Sequence, residues 1–151
     1  MRGMTLMVLL GLVATAAGQE PAKPKSDEPK DAKPTLKIGD AAPKITGAKY
    51  LAGTAVDAYD PKKVYVVEFW ATWCGPCIQA MPHLAELNAE FKDKGLVVVG
   101  VTTKDPNNSA EKVEKFVETR GKKHGYTFAY CDGEATYDAF MVAAGQQGIP
   151  C

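Results

Sequence analysis

Arginine is nearly missing from this 151-residue chain, occurring only as Arg2 and Arg120. With 18 basic residues balanced by 18 acidic ones, an arginine-rich nucleic-acid surface is excluded and the scattered lysines read as a solvated exterior. Histidine is scarce as well, present as His83 and His124 alone. The chain also lacks an internal repeat and a long hydrophobic run. Its apolar stretch from Leu6 to Ala17 falls short of the ~20 residues that a membrane-spanning helix needs. No cysteine follows that stretch, which excludes a lipoprotein signal. Cysteine is limited to Cys74, Cys77, Cys131 and Cys151.

What is present divides the chain into three parts. Arg2, the apolar run and the small residues Ala16, Ala17 and Gly18 make residues 1–18 a secretory signal. Cleavage after Gly18 would leave Gln19 as the mature start in a disulfide-permissive compartment; an uncleaved anchor is the alternative. Residues 19–34 hold four prolines, four lysines and four acids without a large apolar side chain. Such a segment cannot bury enough surface to offset its ordering entropy, so it is expected to be a disordered tether. Residues 35–151 carry the apolar content of one globular domain.

Within that domain, residues 44–63 read as short extended pieces broken by Gly47, Gly53 and Pro61, an edge hairpin. "VYVVEFW" (64–70) is almost continuously apolar, as in a parallel strand buried on both faces. Ile78, Met81, Leu84, Leu87 and Phe91 recur at helical spacing between Pro76 and Lys94, and Gly95 is a natural stop. "LVVVGVT" (96–102) is a second buried strand and "YTFAY" (126–130) a third. Between them Asn108 and Glu111 suggest a capping box ahead of the stripe Val113, Phe116 and Val117. Asp132 is placed to cap a last helix running through Tyr137 and Phe140 to Gly145. Strands alternating with helices predict an α/β domain with a mainly parallel sheet.

The chemistry centres on "FWATWCGPCIQAMPHL" (69–84). Cys74 falls between a strand and a helix, where unpaired N–H groups and the helix dipole favour a thiolate. Pro76 suits the first helical turn. Cys77, three residues on, can bring its sulfur to that of Cys74, so the outer cysteine can attack a disulfide and the inner one resolve the mixed intermediate. A zinc site needs four ligands in a tetrahedron, whereas Cys131 and Cys151 lie 20 residues apart. A purely structural staple across so short a loop would add little stability. Glu68 is a carboxylate inside an apolar strand, expensive unless protonated or functional; the bland alternative puts it at the strand end in solvent. Trp73, beside the cysteine, is expected to face a partner, and Trp70 to serve either that surface or the core. Cys131 reads as a buried small hydrophobe.

"VVEFWATWCGPCIQAMPHL" resembles the active-site region of the thioredoxin superfamily. The chain from 36 to 151 is similar to the TlpA/ResA-like branch, a redoxin (AhpC/TSA-like) domain, with an "LKIGDAAP" lead-in (36–43) and a late "GIP". The resemblance implies a thioredoxin-like fold and thiol–disulfide exchange, with Cys74 as nucleophile, Cys77 as resolving thiol and Glu68 as proton carrier for the inner cysteine. It also implies that Pro150 is a cis-proline facing the dithiol, that the backbone of Ile149 pairs with substrate, and that Trp73, Gly75 and Pro76 border the bound chain. Pro82 interrupts the active-site helix and is expected to kink it, which matches the family. The implied partners are protein disulfides or dithiols and a membrane-side electron donor, with no cofactor, no metal and no nucleic acid. Gly75-Pro76 is the dipeptide of reducing thioredoxins, whereas several cytochrome-maturation members carry another pair. The family also continues past the position of Cys151 into two more strands and a helix, so a C-terminally truncated domain is expected. Cys151, next to Pro150, is expected near the dithiol.

Two other functions fit parts of the pattern. A peroxiredoxin-type peroxidase shares the architecture, but places a threonine three residues before its reactive cysteine, where this chain has Ala71. A copper-handling thiol protein would space its cysteines one residue wider and add a downstream histidine, a role that neither His83 nor His124 obviously fills.

Overall fold

Apolar runs separated by a 3.6-residue periodicity are resolved here into a sheet with helices packed on it. The computed structural model describes residues 34–146 and 148–150; the expected signal and most of the expected tether, as well as Cys151, lie outside the described residues. Four strands form one sheet: β1 (Ala48–Ala52), β2 (Val64–Phe69), β3 (Leu96–Thr103) and β4 (Thr127–Cys131), in the order β1-β4-β3-β2. β2, β3 and β4 are parallel, with Glu68 opposite Gly100 and Gly100 opposite Phe128. β1 runs antiparallel to β4, from Ala48 opposite Cys131 to Ala52 opposite Phe128, with an irregularity between Tyr50 and Ala52. Among the described residues no helix is long and apolar enough to cross a membrane.

Helix α1 (Gly75–Phe91) joins β2 to β3, continues unbroken through Pro82 and tightens into a 3-10 turn at Lys92–Lys94. Gly95 ends it at φ +95°, the left-handed conformation that glycine adopts without steric penalty. Helix α2 (Ala110–Phe116) leads to β4 through wider and tighter turns over Val117–His124, and α3 (Ala135–Tyr137) continues as a π turn over Asp138–Val142. Parallel neighbours require such helical crossovers.

Period-two alternation assigns the strand residues to two cores. One face places Trp70, Val98, Phe128 and Tyr130 against Met81 of α1 and Val113, Phe116 and Val117 of the α2 region. The other gathers Phe69, Val99, Val101, Ala129, Cys131 and Met141. Val113, Phe116 and Val117 thus form the inward stripe that their spacing predicts. Cys131 is buried and free.

Four local expectations are corrected. Residues 44–63 contribute one strand, not a hairpin, because β1 finds its partner in distant β4. β2 is not buried on both faces: among the described residues it lies at the sheet edge, with Val64 65% exposed, and only Glu68 and Phe69 within it are buried. Ser109, not Asn108, caps α2, accepting from Lys112 N; the Asn108 amide is engaged in tertiary hydrogen bonds instead. Asp132 does not cap α3; its carboxylate meets Lys104 Nζ at 3.3 Å.

Candidate active site

The β2 ladder ends where Trp70 N–H donates to Val101 O, and the chain then turns from strand into helix. Cys74 N–H donates to Ala71 O, closing the turn Ala71–Cys74. Cys74 is the N-cap of α1: its sulfur accepts from Cys77 N at 3.2 Å. The first turn contains no acidic residue to compete for those N–H groups and holds Pro76, whose missing N–H is no loss there. A disulfide joins Cys74 to Cys77. Both cysteines are buried, while Trp73, Gly75 and Pro76 around them are exposed. A Cβ at Gly75 would meet nothing within 4 Å, so this flank is open to an incoming chain.

Glu68 precedes the end of β2, on the strand that leads into this turn. Cys77 Sγ is 4.0 Å from the carbonyl oxygen of Phe69, the residue that follows Glu68 on β2. Glu68 is buried, and neither carboxylate oxygen has a hydrogen-bond partner. Burial pushes its carboxyl up from 4.5 to about 7, because the charged form is the one that loses hydration. Opposite it, Gly100 offers no side chain; the space is filled by Trp70 and Tyr126, whose Nε1 and Cε2 would lie 3.2 and 3.4 Å from a Cβ there. Trp70 is therefore a core residue, tilted against Phe116 and edge-on to Phe128, and does not share the exposed surface of Trp73. The Tyr126 hydroxyl is buried without a partner, and burial together with the Glu68 charge drives its pKa upward.

A loop after β3 braces the turn. Asn108 Oδ1 accepts from Thr72 N at 3.0 Å and Thr72 Oγ1 at 2.8 Å, and its Nδ2 donates to Thr102 Oγ1 and Thr103 O, each at 2.8 Å. Trp73 Nε1 donates to Asp105 Oδ2 at 2.9 Å. On the far side, the peptide bond between Ile149 and Pro150 is cis, as the resemblance implies. Ile149 packs against the core cluster that includes Cys74 and Cys77.

The redoxin family model matches residues 37–148. The chain belongs to the redoxin family. Among curated proteins this redoxin domain is 39% identical over 85 residues to the thioredoxin-like protein YneN of Bacillus subtilis, covering 56% of this chain and 49% of that one. It is 36% identical over 77 residues to the thiol-disulfide oxidoreductase ResA of Oceanobacillus iheyensis, covering 48% and 40%. The chain thus spans about half, or less, of the length of these relatives. Its fold is thioredoxin-like. A thiol:disulfide interchange protein from Bacteroides superposes with a TM-score of 0.50 at 26% identity, over 59% of this chain and 55% of that one. The thioredoxin domain of a thiol-disulfide oxidoreductase from Bacteroides vulgatus gives the same TM-score and identity, over 59% of each chain.

Of the residues singled out in the sequence, Cys74, Cys77, Trp73, Gly75 and Pro76 share one strand-to-helix junction, and Glu68 is buried in the strand that precedes it. Asp105, Asn108 and Tyr126 were not foreseen in this setting. Asn108 lies 36 residues from Thr72, and no local pattern in the redoxin sequence signals such a contact.

Proposed function

We propose that this redoxin domain exchanges disulfides with protein substrates outside the cytoplasm, working as a reductant through Cys74 and Cys77. The observation that carries the reading is the Cys74–Cys77 disulfide at the start of α1, with Cys74 as N-cap, after a strand that holds a buried Glu68 without a hydrogen-bond partner. The Leu6–Ala17 run ahead of a polar tether supports export across the membrane.

In the reduced protein, the Cys74 thiolate attacks one sulfur of a substrate disulfide. The substrate S–S bond breaks, a mixed disulfide forms, and the departing substrate thiolate takes a proton from solvent. Glu68 in its carboxylate form then accepts the Cys77 proton, directly or through water. The Cys77 sulfur attacks Cys74 Sγ, the mixed disulfide breaks, and the second substrate sulfur leaves as a thiolate that takes up the proton held by Glu68, directly or through water. Two electrons and two protons pass to the substrate, and a dithiol donor on the membrane side returns them. Trp73, Gly75 and Pro76 border the substrate chain, with Ile149 and Pro150 forming the opposite wall. Apocytochrome disulfides and general protein disulfides both fall within this substrate class.

The test is insulin reduction by the full chain with dithiothreitol as donor, run beside peroxide consumption and copper titration. Catalysis of insulin reduction that vanishes in Cys74→Ser supports the reading. A rate equal to dithiothreitol alone, or peroxide consumption as the dominant activity, overturns it.

A further inference from the structure

The turn that presents Cys74 has a weak point. Trp70 N is tied to β3 and Cys74 N to Ala71 O, but the N–H of Thr72 has no partner within the turn, in β2 or in α1. Asn108 supplies that partner from another part of the chain. Its side chain is fully buried, and every hydrogen-bonding position of the amide is used: two acceptor contacts to Thr72 and two donor contacts to the end of β3. The orientation of the amide is fixed by chemistry, since Thr72 N–H can only donate and Thr103 O can only accept. The same loop holds the next residue, through Asp105 and Trp73. It is closed on itself by the Asp105–Asn108 backbone pair and by Asn107 N on Asp105 Oδ1 at 2.6 Å.

We propose that Asn108 is a positioning residue for the reactive sulfur, locking the Ala71–Cys74 turn to the end of β3 so that Cys74 stays aligned with the first turn of α1. This builds on the proposed role of Cys74 as attacking thiolate. Stabilisation of a thiolate at a helix N-terminus falls off within one turn, so it depends on where the cap residue is held. Without the amide, Thr72 N–H and Thr103 O each lose a partner, and the turn can relax at the residue two before Cys74. The reduced Cys74 thiol then loses its helix-terminal N–H contact for part of the time and its pKa rises. Glu68 from β2, Cys77 from α1, Asp105 from the β3–α2 loop and Lys112 of α2, whose Nζ donates to Asn107 O at 3.1 Å, are all retained in the variant.

The measurement is the pH dependence of iodoacetamide alkylation of Cys74 in the reduced full chain. Asn108→Ala is expected to raise the alkylation midpoint by about one pH unit, which makes alkylation about tenfold slower at pH 6. Thr72→Ala, which removes only the hydroxyl contact, should move it by about half as much. Thr102→Val cuts a contact on the far side of the amide and should lower the melting temperature while leaving the midpoint in place. A cooperatively melting Asn108→Ala protein with an unchanged midpoint overturns the proposal, as does an equal shift in Thr102→Val. If Asn108→Ala does not fold, Thr72→Ala decides, and an unmoved midpoint there overturns it. Alkylation needs no disulfide substrate. A protein that reduces no insulin would therefore defeat the proposed function while leaving the role of Asn108 to be read from the titration.

Discussion

Glu68 on β2 stands directly across the parallel pair from Gly100 on β3. Because Gly100 has no side chain, Trp70 and Tyr126 close over it, and the Glu68 carboxylate is itself buried. The acid thereby loses hydration without gaining a hydrogen bond, and its pKa moves to about 7.

That shift makes stability fall with rising pH. The unfolded chain ionises Glu68 near 4.5, whereas the folded protein holds the proton until about pH 7. Its stability contribution is complete below pH 4.5 and is lost as pH rises through 7, reaching up to about 3 kcal/mol. Oxidised Glu68→Gln should therefore melt well above the unsubstituted protein at pH 8 and close to it at pH 4.5. An equal difference at both pH values would contradict the assignment.

Resolution of the mixed disulfide should depend on the same group. Glu68→Gln is expected to slow release of substrate from Cys74 about a hundredfold while leaving the first attack nearly unchanged. In the unsubstituted protein the release rate should rise with pH and level off above about 7. Stopped-flow mixing of reduced protein with a disulfide-linked fluorogenic substrate separates the two phases.

Filling the space at Gly100 should be harmful. A Cβ there would come within 3.2 Å of Trp70 Nε1 and 3.4 Å of Tyr126 Cε2, both in a closed aromatic cluster. Gly100→Ala is expected to destabilise the fold by about 1–3 kcal/mol through overpacking. Urea unfolding measures this; an unchanged midpoint would mean that the aromatics yield freely.

The two cysteines should be separable. Cys77→Ser is expected to accumulate a mixed disulfide through Cys74, and Cys74→Ser none, as read on non-reducing gels. The couple itself should equilibrate with glutathione near the thioredoxin potential of about −270 mV, since no histidine lies between the cysteines to stabilise the reduced form. A value above about −170 mV would be incompatible with a reductant.

Trp73 is 55% exposed and its indole is fixed by Asp105. A pre-oriented aromatic at the rim of the dithiol suits a protein partner more than a small molecule. Trp73→Ala should raise KM for insulin about tenfold and change the rate with a small disulfide such as hydroxyethyl disulfide by less than about twofold. Equal losses on both substrates would place Trp73 in the chemistry rather than in recognition.

The sequence by itself determined the strand-to-helix junction that holds the cysteine pair. An apolar strand, a pair of cysteines around Gly75-Pro76 and a helical stripe ending at Gly95 are all short-range patterns. Tertiary structure decided what those residues meet. The pairing of β1 with distant β4 removed the expected hairpin. The two tryptophans, three residues apart, were divided between core and surface because the first continues the strand's alternation and the second lies beyond the turn. Asn108 looked like a helix cap because caps are read from neighbouring residues. Its amide instead bonds Thr72, which only the adjacency of β2 and β3 brings within reach, and hydrogen-bond partners set by strand order leave no trace in local periodicity.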